Sequence, residues 1–248
     1  GESPLVVALG EPGMGKTRLA VQTARQVLPH FAHGAWFVDL SAVFDPNLVL
    51  PSIGLALGLT LGSGQSPDEQ IKAELRDRHM LLVLDNFEQV VAGAAHEGAA
   101  LLRYCAGMKI LVTSRVRLDV YGEFEYPLPP MTLPPLNEEL PPDDLLAYEA
   151  VQLFVARTRQ HHPYFELTTD SAPLVAEICR RMDGLPLALE LAAARTRWMQ
   201  VDELAAALRE ASGRDWHALL HTSARDLPPR QQTLFNAIAW SYSMLAPQ

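Results

Sequence analysis

Gly10-Glu11-Pro12-Gly13-Met14-Gly15-Lys16-Thr17 decides how the rest of the chain is read. The stretch has the form G-x-x-x-x-G-K-T, and each fixed residue in it has a physical task. The glycines let the backbone bend tightly and turn several N–H groups onto one oxyanion. Lys16 sets a point charge against the outer phosphates, and the Thr17 hydroxyl is placed to ligate Mg²⁺. The helix expected next aims its positive end at the same anion, so the nucleotide contacts run from Gly10 through Arg18. The flanks supply the context such a loop requires. Pro4 to Leu9 is a short apolar run suited to a buried parallel strand. Thr17 to Leu28 keeps a helical rhythm through Leu19, Ala20, Ala24 and Val27 until Pro29 stops it.

Downstream, apolar runs alternate with helical patterns, the signature of an α/β fold with a parallel sheet. Gly34 to Asp39 reads as a second strand, and residues 47–58 as an apolar helix. Ser66-Pro67-Asp68-Glu69 starts another helix, which runs to about Arg78, with Ser66 as cap and Glu69 closing the box. Met80 to Asp85 is a third strand, apolar until it ends in a carboxylate. Ligands of parallel sheets sit beyond the carboxyl ends of the strands, so Asp85 is expected to join Thr17 on Mg²⁺. A small-residue helix over about 92–105 leads to a fourth strand, Lys109 to Thr113, which ends in Ser114-Arg115. The Arg115 guanidinium suits a γ-phosphate because its fork binds two oxygens. Phe124 to Leu128 is read as a short fifth strand.

Lys16, Asp85, Glu88 and Arg115 form the expected catalytic set. Hydrolysis also needs a group that orients or deprotonates water. Many ATPases of this kind carry a second acid beside the metal-binding Asp; here that position is Asn86, which cannot act as a base. Glu88 is the candidate that remains, and slow turnover is expected. No N-K-x-D segment reads guanine, which favours ATP/ADP. A fast ATPase or small-molecule kinase, with Arg115 and Arg117 as a phosphate-clamping lid, stays open, as does a degenerate scaffold that no longer hydrolyses nucleotide. His161-His162 point apart on a helix, and His217 and His221 share a face without a third ligand, so no zinc site is expected.

Composition narrows the class. The chain of 248 residues is 48% hydrophobic, enough for more than one core. A net charge of −9 disfavours direct nucleic-acid contact, which relies on dense Lys and Arg. No apolar run reaches the roughly 18 residues that span a bilayer. No basic-then-apolar leader argues for export, and Cys105 and Cys179 read as core thiols of a reducing compartment, so a cytoplasmic location is expected. From Leu118 to Ala156 there are eight acidic residues and no Lys or Arg, which reads as a solvated connector or as a docking face for a basic partner. Seven prolines over 127–142 mark a stiff connector. Helical periods follow over 144–160, through Leu174, Val175, Ile178, Cys179 and Met182 to Gly184, from Leu185 to Met199, and from Val201 to Leu208. The expected division is a nucleotide-binding domain over 1–135, a helical domain over 136–222 and the start of a further unit over 223–248. Both ends look cut, as in a fragment of a longer protein.

Four segments, GEPGMGKTRLA (10–20), LLVLDNFEQV (81–90), ILVTSR (110–115) and DGLPLALELAAAR (183–195), occur in an order and spacing that resemble the nucleotide-binding core of STAND NTPases. The set is similar to the NB-ARC cores of plant resistance proteins and apoptosome scaffolds, and above all to bacterial regulators of the SARP and large LuxR-type classes. DLPPRQQTLFNAIAWSYSML (226–245) resembles the opening of their winged helix. The resemblance implies a five-stranded parallel P-loop sheet of the ASCE type, with the Arg115 strand between the strands of the P-loop and of Asp85. It implies that Gly184-Leu185-Pro186-Leu187 covers the nucleotide with Pro186 against adenine. It further implies an ADP-held switch released by ATP, homo-oligomerisation in the ATP state, and sensor and effector domains elsewhere in the parent chain.

Overall fold

The computed structural model describes residues 3–59 and 66–210. They form two units: the chain up to Glu11 with Lys16–Leu128, and Pro12–Gly15 with the chain from Pro129 onward. The first unit runs β1 (Leu5–Leu9), α1 (Lys16–Val27), β2 (Ala35–Asp39), α2 (Val49–Ala56), α3 (Pro67–Leu75), β3 (Leu81–Asp85), α4 (Val91–Tyr104), β4 (Lys109–Ser114) and β5 (Glu123–Pro127). Every strand pairing is parallel, in the order β2-β3-β4-β1-β5. β4 therefore stands between β1 and β3, the order that the resemblance implied.

The strands read as apolar runs because both faces of the sheet are covered. All five residues of β3 are buried. Alternation along it sends Leu82 and Leu84 to one face, where they join Ile110, Val112 and the helical residues Ile53, Ile71, Leu75 and Leu101. Leu81 and Val83 face the other way, onto Ala20 of α1 with Ala24, Val27, Ala35 and Leu111 around them. α3 begins where its cap directs: the Ser66 hydroxyl accepts from Glu69 N at 3.2 Å, and Pro67 fills the first turn. It ends at Leu75, short of the expected Arg78. α1 ends at Val27, and a 3₁₀ turn holding Pro29 follows.

The second unit contains α5 (Pro142–Leu145), α6 (Glu149–His161), α7 (Ala172–Arg181), α8 (Pro186–Arg195) and α9 (Val201–Glu210). Its core is built by Val151, Phe154 and Val155 of α6, Val175, Ile178 and Cys179 of α7, Leu189 and Ala192 of α8, and Leu204 and Leu208 of α9. The single helix expected over 144–160 is broken. Tyr148 is extended, and α6 starts afresh at Glu149 because a residue distant in sequence caps it. Glu149 N donates to Thr132 Oγ1 at 3.0 Å, and Thr132 N donates to the Glu149 carboxylate at 3.2 Å. The third helix likewise stops at Arg195 rather than Met199, and the Thr196 hydroxyl turns back onto Ala193 O at 2.6 Å.

The acid-rich stretch from Leu118 exposes most of its carboxylates, as its charge pattern predicts, but its apolar residues anchor it. Leu118 and Val120 are buried in the first unit, β5 joins the sheet, and Met131, Leu133 and Leu140 pack on the helical core. Two backbone oxygens hold this proline segment down: Met131 N donates to Gly184 O, and Arg180 Nη1 donates to Pro135 O, each at 3.0 Å. The expected winged-helix start over 223–248, and His217 and His221, lie outside the described residues. Among those described, no helix is long and apolar enough to cross a membrane. Cys105 and Cys179 are free and buried.

Candidate functional site

β1 delivers the chain at the carboxyl edge of the sheet, and the backbone turns through Gly13 (φ 82°) and Gly15 (φ 83°) before α1 begins at Lys16. These left-handed angles are where glycine is needed. The first turn of α1 holds no acidic residue, so its positive end is not neutralised from within the helix. Lys16 Nζ folds back on the loop, donating to Gly10 O at 2.6 Å and Glu11 O at 3.1 Å. Burial lowers the Lys16 pKa, and the nearby Glu88 carboxylate works against that shift.

Asp85 ends β3 and is 3% exposed. Its carboxylate collects three neighbours. The Thr17 hydroxyl lies 2.8 and 3.0 Å from its two oxygens, Thr113 Oγ1 donates to Oδ1 at 2.5 Å, and Asn86 Nδ2 donates to Oδ2 at 2.9 Å. Asn86 takes a left-handed backbone (φ 60°), and its N–H donates to Thr113 Oγ1 at 3.0 Å. Burial pushes the Asp85 pKa up, and the hydrogen bonds from Thr113 and Thr17 oppose it. Thr17 and Asp85 are hard oxygen donors brought together across 68 residues of sequence, a set that suits Mg²⁺.

Glu88 and Arg115, read from sequence as a base and a phosphate sensor, are brought onto each other. Arg115 Nε donates to Glu88 Oε1 at 3.0 Å, and the two side chains are 10% and 7% exposed. Glu88 Oε2 is buried without a hydrogen-bond partner. Two participants escaped the sequence reading. Thr113 belongs to β4 and follows the Leu84–Val112 pair, which sets it alongside Asp85. Asp39 ends β2 in register with Asp85. Both were marked by strand alternation at the carboxyl edge, but only the strand order makes them neighbours of Asp85.

Pro186 opens α8 after Gly184, whose φ of 65° and close approach to Met131 O leave no room for a Cβ. Within the second unit, which includes Pro12–Gly15, Leu187 N donates to Gly13 O at 3.1 Å. Among the described residues no group of three or more His, Cys, Asp or Glu is arranged to hold a metal.

Solved structures share this architecture. The ORC2 protein of Aeropyrum pernix aligns with a TM-score of 0.54 at 16% identity, covering 83% of this chain and 61% of that one. CDC6P of Pyrobaculum aerophilum aligns at 0.52 and 17% identity, covering 78% and 56%. The chain has the P-loop NTPase fold. Its parallel sheet and helices match the ASCE arrangement of those neighbours. No family model matches this P-loop chain. "Uncharacterized protein Rv0894" of Mycobacterium tuberculosis is 36% identical over 242 residues, 98% of this chain and 57% of that protein. "Putative HTH-type transcriptional regulator Rv0890c" of the same species is 36% identical over 244 residues, 98% of this chain and 25% of that one. The regulatory protein AfsR of Streptomyces griseus is 34% identical over 217 residues, 81% and 19%. The chain thus spans a little over half of the first relative and a quarter or less of the others.

Proposed function

We propose that this chain is the adenine-nucleotide-binding module of a bacterial transcription regulator, working as a slowly hydrolysing ATP/ADP switch. The observation that carries the reading is the Thr17 hydroxyl set against the Asp85 carboxylate at the carboxyl edge of the sheet, one residue after Lys16. The Gly10–Lys16 turn would wrap the phosphates, with Lys16 exchanging Gly10 O and Glu11 O for phosphate oxygens. Thr17 and Asp85 would hold Mg²⁺, whose positive charge offsets the buried carboxylate. When bound, the ion neutralises charge on the β- and γ-phosphates. Arg18 and the loop residues Glu11, Pro12 and Met14 complete the contacts, and Pro186 is assigned to the adenine.

The switch is the Arg115–Glu88 pair. A γ-phosphate offers the Arg115 fork two oxygens, and ADP offers none, so ATP competes with Glu88 for the guanidinium. That competition makes the loops after β3 and β4 respond to the nucleotide. The names of two relatives, a putative HTH-type transcriptional regulator and a regulatory protein, support the setting in a regulator. Sensor and effector domains on the parent chain, ADP retained at rest, homo-oligomers with ATP and no nucleic-acid contact by this module complete the proposal. Titration calorimetry of ADP, ATP and GTP, with and without Mg²⁺, against wild type and Lys16→Ala tests the proposal. Tight, Mg²⁺-dependent adenine-nucleotide binding lost in Lys16→Ala is expected. Equal affinity for both proteins removes the basis of the reading.

A further inference from the structure

Asn86 and Glu88 leave the site without an evident carboxylate for the attacking water. Asn86 has no basic oxygen and spends its amide on Asp85. Glu88 is buried and engaged by Arg115. The neighbouring strand supplies an alternative. β2 and β3 are paired with Asp39 opposite Asp85, so the two side chains leave the sheet on the same face. That is the face of α1. Leu81 and Val83 pack on Ala20 there, and Thr17 reaches Asp85 from the same side. A backbone bond and a side-chain bond tie the two strand ends together: Leu40 N donates to Asp85 O at 3.0 Å, and Gln89 Nε2 donates to Ser41 O at 3.1 Å. Unlike Asp85 and Glu88, Asp39 is exposed. One of its oxygens is fixed by Ser41 N at 2.8 Å, which aims the other without consuming it.

We propose that Asp39 is the carboxylate that orients and deprotonates the water during ATP hydrolysis at this site. The proposal rests on the nucleotide reading above. The water oxygen forms the new bond to the γ-phosphorus while the bond from that phosphorus to the β,γ-bridging oxygen breaks. The electron pair leaves with ADP. The water proton passes to the free Asp39 oxygen and then, because that side chain is exposed, to solvent.

The test compares wild type, Asp39→Asn and Glu88→Gln, each checked for folding by melting temperature. ATP·Mg²⁺ affinity is measured first and single-turnover hydrolysis second. Asn keeps the oxygen that caps Ser41 N, so the turn survives. Asp39→Asn is expected to hold ATP within about threefold of wild type and to slow hydrolysis at least ~100-fold, the usual contribution of a positioned base. Glu88→Gln, which also releases Arg115 from its partner, is expected to slow hydrolysis less than Asp39→Asn does. The reverse ranking overturns the proposal, as does an Asp39→Asn loss that tracks weakened ATP·Mg²⁺ binding. A wild type that binds ATP without hydrolysing it also overturns it, leaving the nucleotide reading intact. A wild type that binds no ATP removes both.

Discussion

Arg115→Ala strips the cation from a carboxylate that has nowhere to go. Glu88 is 7% exposed, its Oε1 relies on Arg115 Nε, and its Oε2 already lacks a hydrogen bond. Breaking a buried pair from one side costs about 3–5 kcal/mol, because the remaining charge stays desolvated. Lys16 softens that loss, since Glu88 is the foremost charge that favours its ammonium form. The expected destabilisation is therefore about 2–4 kcal/mol, a large part of the ~5–15 kcal/mol that holds a domain folded. Replacing both partners with apolar side chains, as Arg115→Met with Glu88→Leu, removes the stranded charge and should return stability to within about 1 kcal/mol of wild type. Urea unfolding of wild type, Arg115→Met, Glu88→Leu and the double variant, without nucleotide, gives the coupling energy directly. The measurement is repeated at high salt, because a buried pair is screened far less than an exposed one. A loss under about 0.5 kcal/mol for Arg115→Ala, or one that vanishes in 1 M salt, would mean that the pair is solvated and cannot act as the proposed switch.

Gly184→Ala should destabilise the helical unit by about 2–4 kcal/mol in urea melts, from the left-handed backbone (φ 65°) and the collision of its Cβ with Met131 O. A neutral result there would show that the 129–135 segment shifts freely. Asp85→Asn should melt higher than wild type at pH 7 without nucleotide. Burial raises the folded-state pKa of Asp85, so the stability tied to its protonated form is complete below the unfolded value near 3.8 and is lost as pH rises through the folded pKa. The advantage of Asp85→Asn should therefore shrink as the pH of the melt is lowered, and ATP·Mg²⁺ should raise the melting temperature of wild type only. Cys179, its pKa pushed up to about 12 by burial, and the buried Cys105 should resist a thiol-disulfide reagent in the native chain and react promptly in urea.

Most of the sheet was legible because its signals are local. Apolar runs, the glycines of the turn, Pro29 and the Ser66 cap each act within a few residues of themselves. Helix limits were less legible where the deciding contact comes from far away, as when Thr132 restarts the chain at Glu149. The site divides in the same way. Residue type and strand position marked Lys16, Thr17, Asp85 and Arg115, since phosphate, metal and sheet edge each demand particular chemistry at a particular place. Which of these groups touch was hidden. Glu88 was free to be read as a base until the strands placed Arg115, 27 residues on, against it. Thr113 and Asp39 were ordinary strand residues until the order β2-β3-β4 set them on either side of Asp85. The chain by itself determined which chemical groups reach the edge of the sheet. Only the tertiary structure decided which of them are neighbours, because pairing between strands depends on the order of the sheet and not on distance along the sequence.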